Sequence, residues 1–420
     1  MSIQKWPLEE IIAFAKERSP YYRSLYQGID SLELSVLPII DQQEFWNSKM
    51  LTNERPDGIV FKSGGSTGAP KFSYFTSVEW ESFTTAFGLG IAQGILDDDD
   101  RIGNVFYVGD MYASFLFIGD SLSWIPASEK RITRYPIGGS TDPKSIFKTI
   151  LEFDINVLVG VPTSIMTLMD YYVKHRHEYS KVRIDKVLFG GESMYPDQQD
   201  SIRKLFPQVQ IASVGYASVD AGLLGYADRT CKDGEHRVFD GSNIIELVDS
   251  DTGEIIAEMG RAGRVIVTNL TRKLMPIIRY PAGDLAEWVE PEGTSNRKFR
   301  LIGRSGEAAR LGTINVHFED LRAAIMRSLP EVNGLQLQLV LEHFNQLDCL
   351  TIRVGGQNIS ERLVVEDRVM QVFIQEKPVY IAEKEAHHIH PVVVEVVELS
   401  SLEMNSRTGK IKRVIDRRSA

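Results

Sequence analysis

Cysteine is nearly absent. Cys231 and Cys349 are the only two in 420 residues, too few for a disulfide framework or a closed zinc site. Long apolar runs are missing as well: no segment approaches the ~18–20 consecutive apolar residues of a membrane span. The N-terminal stretch mixes Lys5, Glu9, Glu10, Lys16, Glu17 and Arg18 with apolar residues, which is the pattern of an amphipathic helix and not of a secretory leader. Basic excess is lacking too. Lys and Arg number 47 against 57 Asp and Glu, a net charge of −10, and that balance opposes non-specific binding to nucleic acid or anionic membrane surfaces. Internal repeats and low-complexity tracts are not found. These absences predict a cytoplasmic protein with no nucleic-acid or membrane partner, and its length predicts two domains.

What is present reads as ordinary globular sequence, 43% hydrophobic and 25% charged. Helical periodicity marks 7–16, 78–93, 143–153 and 162–175, alternating with short apolar runs at 101–108, 157–161, 187–189 and 211–214. Strands interleaved with helices predict an α/β sheet, with some strands too buried to alternate. After about Ser242 the texture changes to strands at 243–249, 263–269 and 298–302 joined by polar turns, a small β-rich subdomain. Beyond Gly303 a third pattern follows. Helices are expected at 318–328 and 361–376, and strands at 335–341, 350–354 and 392–399, a compact α+β unit.

The run Ser63-Gly64-Gly65-Ser66-Thr67-Gly68-Ala69-Pro70-Lys71 follows the apolar strand-like residues Ile59, Val60 and Phe61. Its glycines allow close backbone approach, so that successive amides can cradle phosphate oxygens. Ser66 and Thr67 add hydroxyls and Lys71 adds a point charge. It is not a P-loop, because Lys71 follows Pro70 and precedes Phe72. By itself such a stretch is also what a flexible surface turn looks like. The order is similar to the phosphate loop of the adenylate-forming superfamily (acyl- and aryl-CoA ligases, luciferases and peptide-synthetase adenylation domains), with Gly64 where that pattern usually has Ser.

Further segments resemble that superfamily in the same order. Phe189-Gly190-Gly191-Glu192 is similar to the segment whose backbone lies beside adenine. Tyr216-Ala217-Ser218-Val219-Asp220 resembles its Y-G-x-[ST]-E, with Ala217 for Gly, Val219 for the hydroxyl residue and Asp220 for Glu. Arg279-Tyr280-Pro281-Ala282-Gly283-Asp284-Leu285 matches R-Y-x-x-G-D-L, in which an Asp after a tight Gly turn accepts from both ribose hydroxyls. Gly303-Arg304-Ser305-Gly306-Glu307 resembles the hinge, and Thr408-Gly409-Lys410-Ile411-Lys412-Arg413 the C-terminal [ST]-G-K-[IV]-x-R loop. A solvated basic tail is the plain alternative for that last segment.

The resemblance implies an α/β fold: a large N-terminal domain, 1–303, of α/β sheets plus a small β-rich subdomain that binds ATP and the acid. A small mobile α+β C-terminal domain, 304–420, would carry the loop lysine. The implied chemistry is ATP-dependent, AMP-forming activation of a carboxylic acid, expected to be aromatic, followed by transfer to a thiol, with coenzyme A as the expected acceptor. Carrier-protein thiols, amines and a catalytically degraded nucleotide-binding relative stay open as alternatives. By the same resemblance Ser63, Gly65, Ser66, Thr67, Gly68 and Lys71 would face the β- and γ-phosphates, and Gly191 and Glu192 the adenine. Tyr216 would stack on adenine. Ala217 and Ser218 would belong to the same nucleotide-binding segment, with Ser218 supplying the hydroxyl that touches phosphate. Asp220 would hold Mg²⁺, Asp284 and Arg304 the ribose, and Lys410 the α-phosphate. Reaching the phosphate loop by residue 63 is similar to the phenylacetate–CoA ligase branch, as are Ser19-Pro20-Tyr21-Tyr22-Arg23 and Cys231 followed by Gly234-Glu235-His236. No zinc is expected there, and His236 reads as a hydrogen-bonded strand residue. Tyr107, Gly109, Tyr112 and Phe115 form the candidate wall of an aromatic-acid pocket.

Overall fold

The computed structural model describes residues 3–53, 57–63, 71–109, 111–191, 194, 196–250, 252–304, 308–357, 359, 361–398, 401–403 and 412–418. Two compact units result, the first ending at Ile302 and the second running from Gly303 to Ala420. The first begins with helix α1 (Leu8–Arg18), whose Glu9 and Glu10 sit in the first turn and Lys16 and Arg18 in the last, each complementing the helix dipole. Helices α2 (Pro20–Leu25) and α3 (Gln42–Trp46) follow, the latter capped by Asp41, which accepts from the Glu44 amide. Strands β1 (Ile59–Ser63) and β2 (Lys71–Phe75) pair antiparallel, with Ser63 opposite Lys71. Helix α4 (Ser77–Ala92) starts at a capping box between Thr76 and Glu79.

A five-stranded parallel sheet comes next. Its elements in chain order are β3 (Arg101–Asn104), α5 (Ser114–Ser123), β4 (Thr133–Pro136), α6 (Pro143–Phe153), β5 (Val157–Gly160), α7 (Pro162–Lys174), β6 (Lys186–Phe189), α8 (Pro196–Leu205) and β7 (Gln210–Ser213); the strand order is β4-β3-β5-β6-β7. Successive residues of one strand enter opposite cores. Val157 and Val159 pack with Phe83, Phe87 and Ile118 of α4 and α5, while Leu158 packs with Phe147, Ile150 and Leu168 of α6 and α7. Burial on both faces explains why these strands read as unbroken apolar runs. The expected strand 101–108 ends at Asn104, whose side chain accepts from the Phe106 amide and donates to the Phe115 carbonyl, both at 3.1 Å, and so turns the chain away. Helix α5 escaped the periodicity because its apolar residues 115–118 are contiguous.

A seven-stranded sheet completes the first unit. It contains β8 (Tyr216–Ser218), β9 (Gly222–Tyr226), β10 (Glu235–Val238), β11 (Asn243–Val248), β12 (Gly263–Asn269), β13 (Tyr280–Trp288) and β14 (Lys298–Arg304), in the order β11-β12-β13-β14-β10-β9-β8. The sheet therefore starts some residues before Ser242, where the texture change put it. Every residue of β9 is buried, so no alternation betrays it. Helices α1 to α3 cover this sheet, packing Ile11, Ile12, Tyr22 and Phe45 against Val267, Ile278 and Tyr280.

The second unit contains the hairpin β15 (Ala308–Leu311) and β16 (Ile314–His317), helix α9 (Phe318–Ser328), strands β17 (Asn333–Phe344) and β18 (Leu347–Gln357), helices α10 (Arg362–Glu376) and α11 (Val379–Glu385), and strands β19 (Val393–Val396) and β20 (Val414–Asp416). The four-stranded sheet runs β19-β18-β17-β20. Strands β17 and β18 are longer than their apolar patterns because a two-residue turn joins them. Asn345 and Gln346 both take positive φ, 48° and 70°, the backbone of a primed hairpin turn without its usual glycine.

Candidate active site

In open parallel sheets, ligands bind beyond the carboxyl ends of the strands. Beyond β3 lie Tyr107, Gly109, Tyr112 and Phe115; beyond β6 lies Gly191; and beyond β7 the chain passes to Tyr216. The candidate wall is a tight turn. The Tyr112 amide donates to the Gly109 carbonyl at 2.8 Å, the Phe115 amide to the Tyr107 carbonyl at 3.3 Å, and the Lys62 amide to the Met111 carbonyl at 3.1 Å. Tyr107 and Tyr112 are each 44% exposed, whereas Phe115 packs against the α4–α5 core. Gly191 is exposed at φ +79°.

The β1–β2 hairpin brings Lys71 to one carboxylate. Its Nζ lies 3.7 Å from Asp220 Oδ2, donates to Gln42 Oε1 at 3.2 Å, and stands 5.4 Å from the centroid of the Trp46 ring. Ser73, two residues on and on the same face of β2, donates to Asp220 Oδ1 at 3.4 Å. Asp220 occupies the turn between β8 and β9, and the Ser218 hydroxyl braces that turn by accepting from the Ala221 amide at 2.9 Å. Burial raises the Asp220 carboxyl above its ordinary value, opposed by Lys71 and Arg272. Among the described residues no group of three or more His, Cys, Asp or Glu could hold a metal. A single carboxylate suits a cation such as Mg²⁺, which takes one or two carboxylates and completes its shell with phosphate oxygens and water.

A second pair forms between Tyr216 and Asp284, the Tyr216 hydroxyl donating to Asp284 Oδ2. The tight Gly turn expected before Asp284 is instead a bulge within β13. Arg264 pairs with Leu285 and Ile266 with Pro281, so Ala282, Gly283 and Asp284 together oppose Val265. Gly283 takes φ +87°, and the extra residues re-aim Asp284. The Tyr216 ring lies 5.9 Å from His236 and 6.2 Å from Phe299. Burial pulls the His236 imidazole down to about 4, so it is neutral near pH 7. Its Nε2 lies 2.9 Å from Ser213 Oγ and its Nδ1 3.2 Å from the Gly234 carbonyl. Ala217 is half-buried in β8.

Gly65, Ser66, Thr67, Gly68, Glu192 and Lys410 lie outside the described residues, as do the side chains of Ser63 and Arg304; the backbones of Ser63 and Arg304 end β1 and β14. Sequence reasoning missed Gln42, Trp46 and Ser73, and also Glu79 and Arg272. Glu79 was legible as half of a capping box, but its Oε1 also accepts from the amides of Lys273 and Leu274 at 2.7 and 2.8 Å. Arg272 is 1% exposed, burial lowers its guanidinium to about 10, and nothing in its sequence surroundings marks it.

No family model matches the chain. Similarity to curated proteins extends over its whole length. A phenylacetate–coenzyme A ligase of Aromatoleum evansii is 22% identical over 434 residues, covering 99% of this chain and 94% of that protein. An indoleacetate–lysine synthetase of Pseudomonas savastanoi is 25% identical over 397 residues, covering 91% of each. Among solved structures, a 2-hydroxyisobutyryl-CoA ligase in complex with 2-HIB-AMP and CoA aligns at a TM-score of 0.69 and 17% identity, over 98% of this chain and 88% of that one.

Proposed function

For a chain with the fold of the adenylate-forming ligases, similar end to end to the phenylacetate–CoA ligase branch, we propose ATP-dependent, AMP-forming activation of an aromatic carboxylic acid and transfer of the acyl group to coenzyme A. The observation that carries this reading is the convergence on one unit of Lys71 with Asp220 and of Tyr216 with Asp284. These are the four described side chains that the family resemblance assigns to phosphate, metal, adenine and ribose.

The acid needs no general base, being ionised at neutral pH. Its carboxylate oxygen attacks the α-phosphorus and pyrophosphate leaves in line, so the protein's task is to position two anions and offset their repulsion. Lys71 and the segment 63–68 hold the β- and γ-phosphates; Tyr216, Gly191 and Glu192 border the adenine. Asp284 accepts from the ribose hydroxyls and Arg304 supports them. Lys410 offsets charge at the α-phosphate. Asp220 holds Mg²⁺, which when bound neutralises phosphate charge. Residues 1–303 bind ATP and the acid, and residues 304–420 carry Lys410. Tyr107, Tyr112 and Phe115 supply an aromatic wall for the acid. The acidic composition and two unpaired cysteines support a cytoplasmic site of action. The test is pyrophosphate release over a panel of aromatic and aliphatic acids, with and without coenzyme A, followed by product mass. Release that no acid stimulates refutes the proposal.

A second reading changes only the acceptor. The indoleacetate–lysine synthetase match favours an amine, and an amide product formed from lysine in preference to a thioester decides for it.

A further inference from the structure

Arg272 is a buried cation that the chemistry above does not use. The segment around it is pinned on both sides. The Thr271 amide and hydroxyl both donate to Asn269 Oδ1 at 2.8 Å, and the Lys273 and Leu274 amides donate to Glu79 Oε1. Between these anchors the guanidinium lies 4.0 Å from the centroid of the Phe75 ring. Its hydrogen bonds run to backbone carbonyls: Nη2 donates to Tyr74 at 2.9 Å, and Nη1 donates to Asp220 at 3.0 Å and to Val219 at 3.4 Å. Its buried Nε has no hydrogen-bond partner among the described residues. Burying a cation is costly unless something offsets it. Here the offset comes from the ring face, three carbonyl dipoles and the nearby carboxylates of Glu79 and Asp220.

The three acceptors belong to two separate sheets. Tyr74 is on β2, which among the described residues pairs with β1 alone, and Val219 and Asp220 lie in the β8–β9 turn of the seven-stranded sheet. A planar fork with donors pointing two ways can span that gap, whereas a point charge on a flexible stem cannot hold both sides in one geometry. Building on the adenylation reading, we propose that Arg272 is a positioning residue: it cross-links β2 to the Asp220 turn and so fixes the separation of Lys71 and Asp220 at which Mg·ATP is bound.

The test uses the full chain with Arg272→Met, Arg272→Lys, Asp220→Asn and the double variant Arg272→Met/Asp220→Asn. Acid-dependent ATP–pyrophosphate exchange is measured as a function of Mg·ATP, and native-state amide exchange is measured in parallel. Arg272→Met is expected to raise KM for Mg·ATP about 10-fold with a smaller change in kcat, and Arg272→Lys, which keeps the charge but not the fork, to raise it by a comparable factor. In the Asp220→Asn background Arg272→Met should add less than about 3-fold, because the two changes act through one group. Amides of 219–222 should exchange at least about 10-fold faster in Arg272→Met while those of β11 and β12 keep their protection. Unchanged protection at 219–222 overturns the proposal, as does a full additional loss in the double variant. If no acid supports exchange in the wild type, the adenylation reading fails, and the amide-exchange comparison still decides whether Arg272 holds the turn. If Arg272→Met does not fold, Arg272→Lys carries the same comparison at 219–222.

Discussion

Arg279 opens the Arg-Tyr-Pro-Ala-Gly-Asp-Leu segment, yet its side chain points away from Asp284 into the core. Its Nε and Nη2 donate to Glu246 Oε2 and Oε1 at 3.1 and 3.0 Å, and its Nη1 donates to the Leu37 carbonyl. The two side chains are 7% and 8% exposed. Removing one partner of such a pair strands the other charge, which costs about 3–5 kcal/mol, whereas replacing both by apolar residues is close to neutral. Arg279→Met should therefore lower stability by about 3–5 kcal/mol, and Arg279→Met/Glu246→Met by less, about 1–3 kcal/mol, because the buried Leu37 carbonyl still loses its donor. Arg279 sits at φ +50°, and Met at the same φ leaves that strain unchanged, so the difference reports the ion pair. Urea unfolding followed by tryptophan fluorescence is the assay. All five tryptophans (Trp6, Trp46, Trp80, Trp124 and Trp288) lie in the first unit, so the signal reads that unit alone. With m of about 3 kcal/mol/M the midpoint should fall by about 1–1.7 M.

The pH dependence is a second check on Arg279→Met. Burial holds the Glu246 carboxyl above its ordinary value of 4.5 even beside Arg279, and losing the guanidinium raises it further. The folded variant then binds its proton more tightly than the unfolded chain. Its stability is greatest below about 4.5 and is lost as pH rises through the folded-state value. The penalty at about pH 8 should exceed that at about pH 5. A midpoint that does not move, or a penalty independent of pH, refutes the buried-pair account.

Three further outcomes can be checked. Tyr216→Phe removes the hydroxyl bonded to Asp284; a hydrogen bond to a charged group is worth about 1.5–3 kcal/mol, so KM for ATP should rise about 10- to 100-fold, and an unchanged KM would sink that role. Gln338 is fully buried and its amide donates to the Glu403 and Lys412 carbonyls at 3.1 and 2.8 Å. The Glu403 carbonyl also accepts from the Lys412 amide, so Gln338→Leu removes a donor from the Lys412 carbonyl above all and should destabilise the second unit by about 1–3 kcal/mol, seen as faster amide exchange across β17 and β20. Lys410→Ala should abolish acid-dependent ATP–pyrophosphate exchange while ATP binding, measured by calorimetry, stays within about 3-fold.

Much of the first unit could be read along the chain. Helices α6 and α7 carry their apolar residues at helical spacing, and the parallel strands stand out because both faces are buried. Residues that share a motif were legible as well, since Lys71, Tyr216, Asp220 and Asp284 each follow a local pattern of glycines, aromatics and carboxylates. Neighbours distant in sequence were not legible. Gln42 and Trp46 reach Lys71 across 29 and 25 residues, and Arg272 reaches Asp220 across 52. Of β10 only His236 was read as a strand residue, and it lies there with both ring nitrogens in hydrogen-bond contact. Strands β8 and β9 were also missed, because sheet membership follows from which partner a strand meets. The Asp284 bulge was missed for the same reason, since it exists only in the register of β13 against β12.

The sequence by itself determined the two-part organisation, the order of the motifs and the chemistry they resemble, because local spacing controls periodicity, turns and which side chains share a loop. Only the tertiary structure decided that Asp220 is buried against Lys71, that Tyr216 holds Asp284, and that Arg279 is a structural partner of Glu246 while Arg272 bridges two sheets. Burial and charge pairing depend on what the rest of the chain brings alongside, and those neighbours are set by packing rather than by spacing.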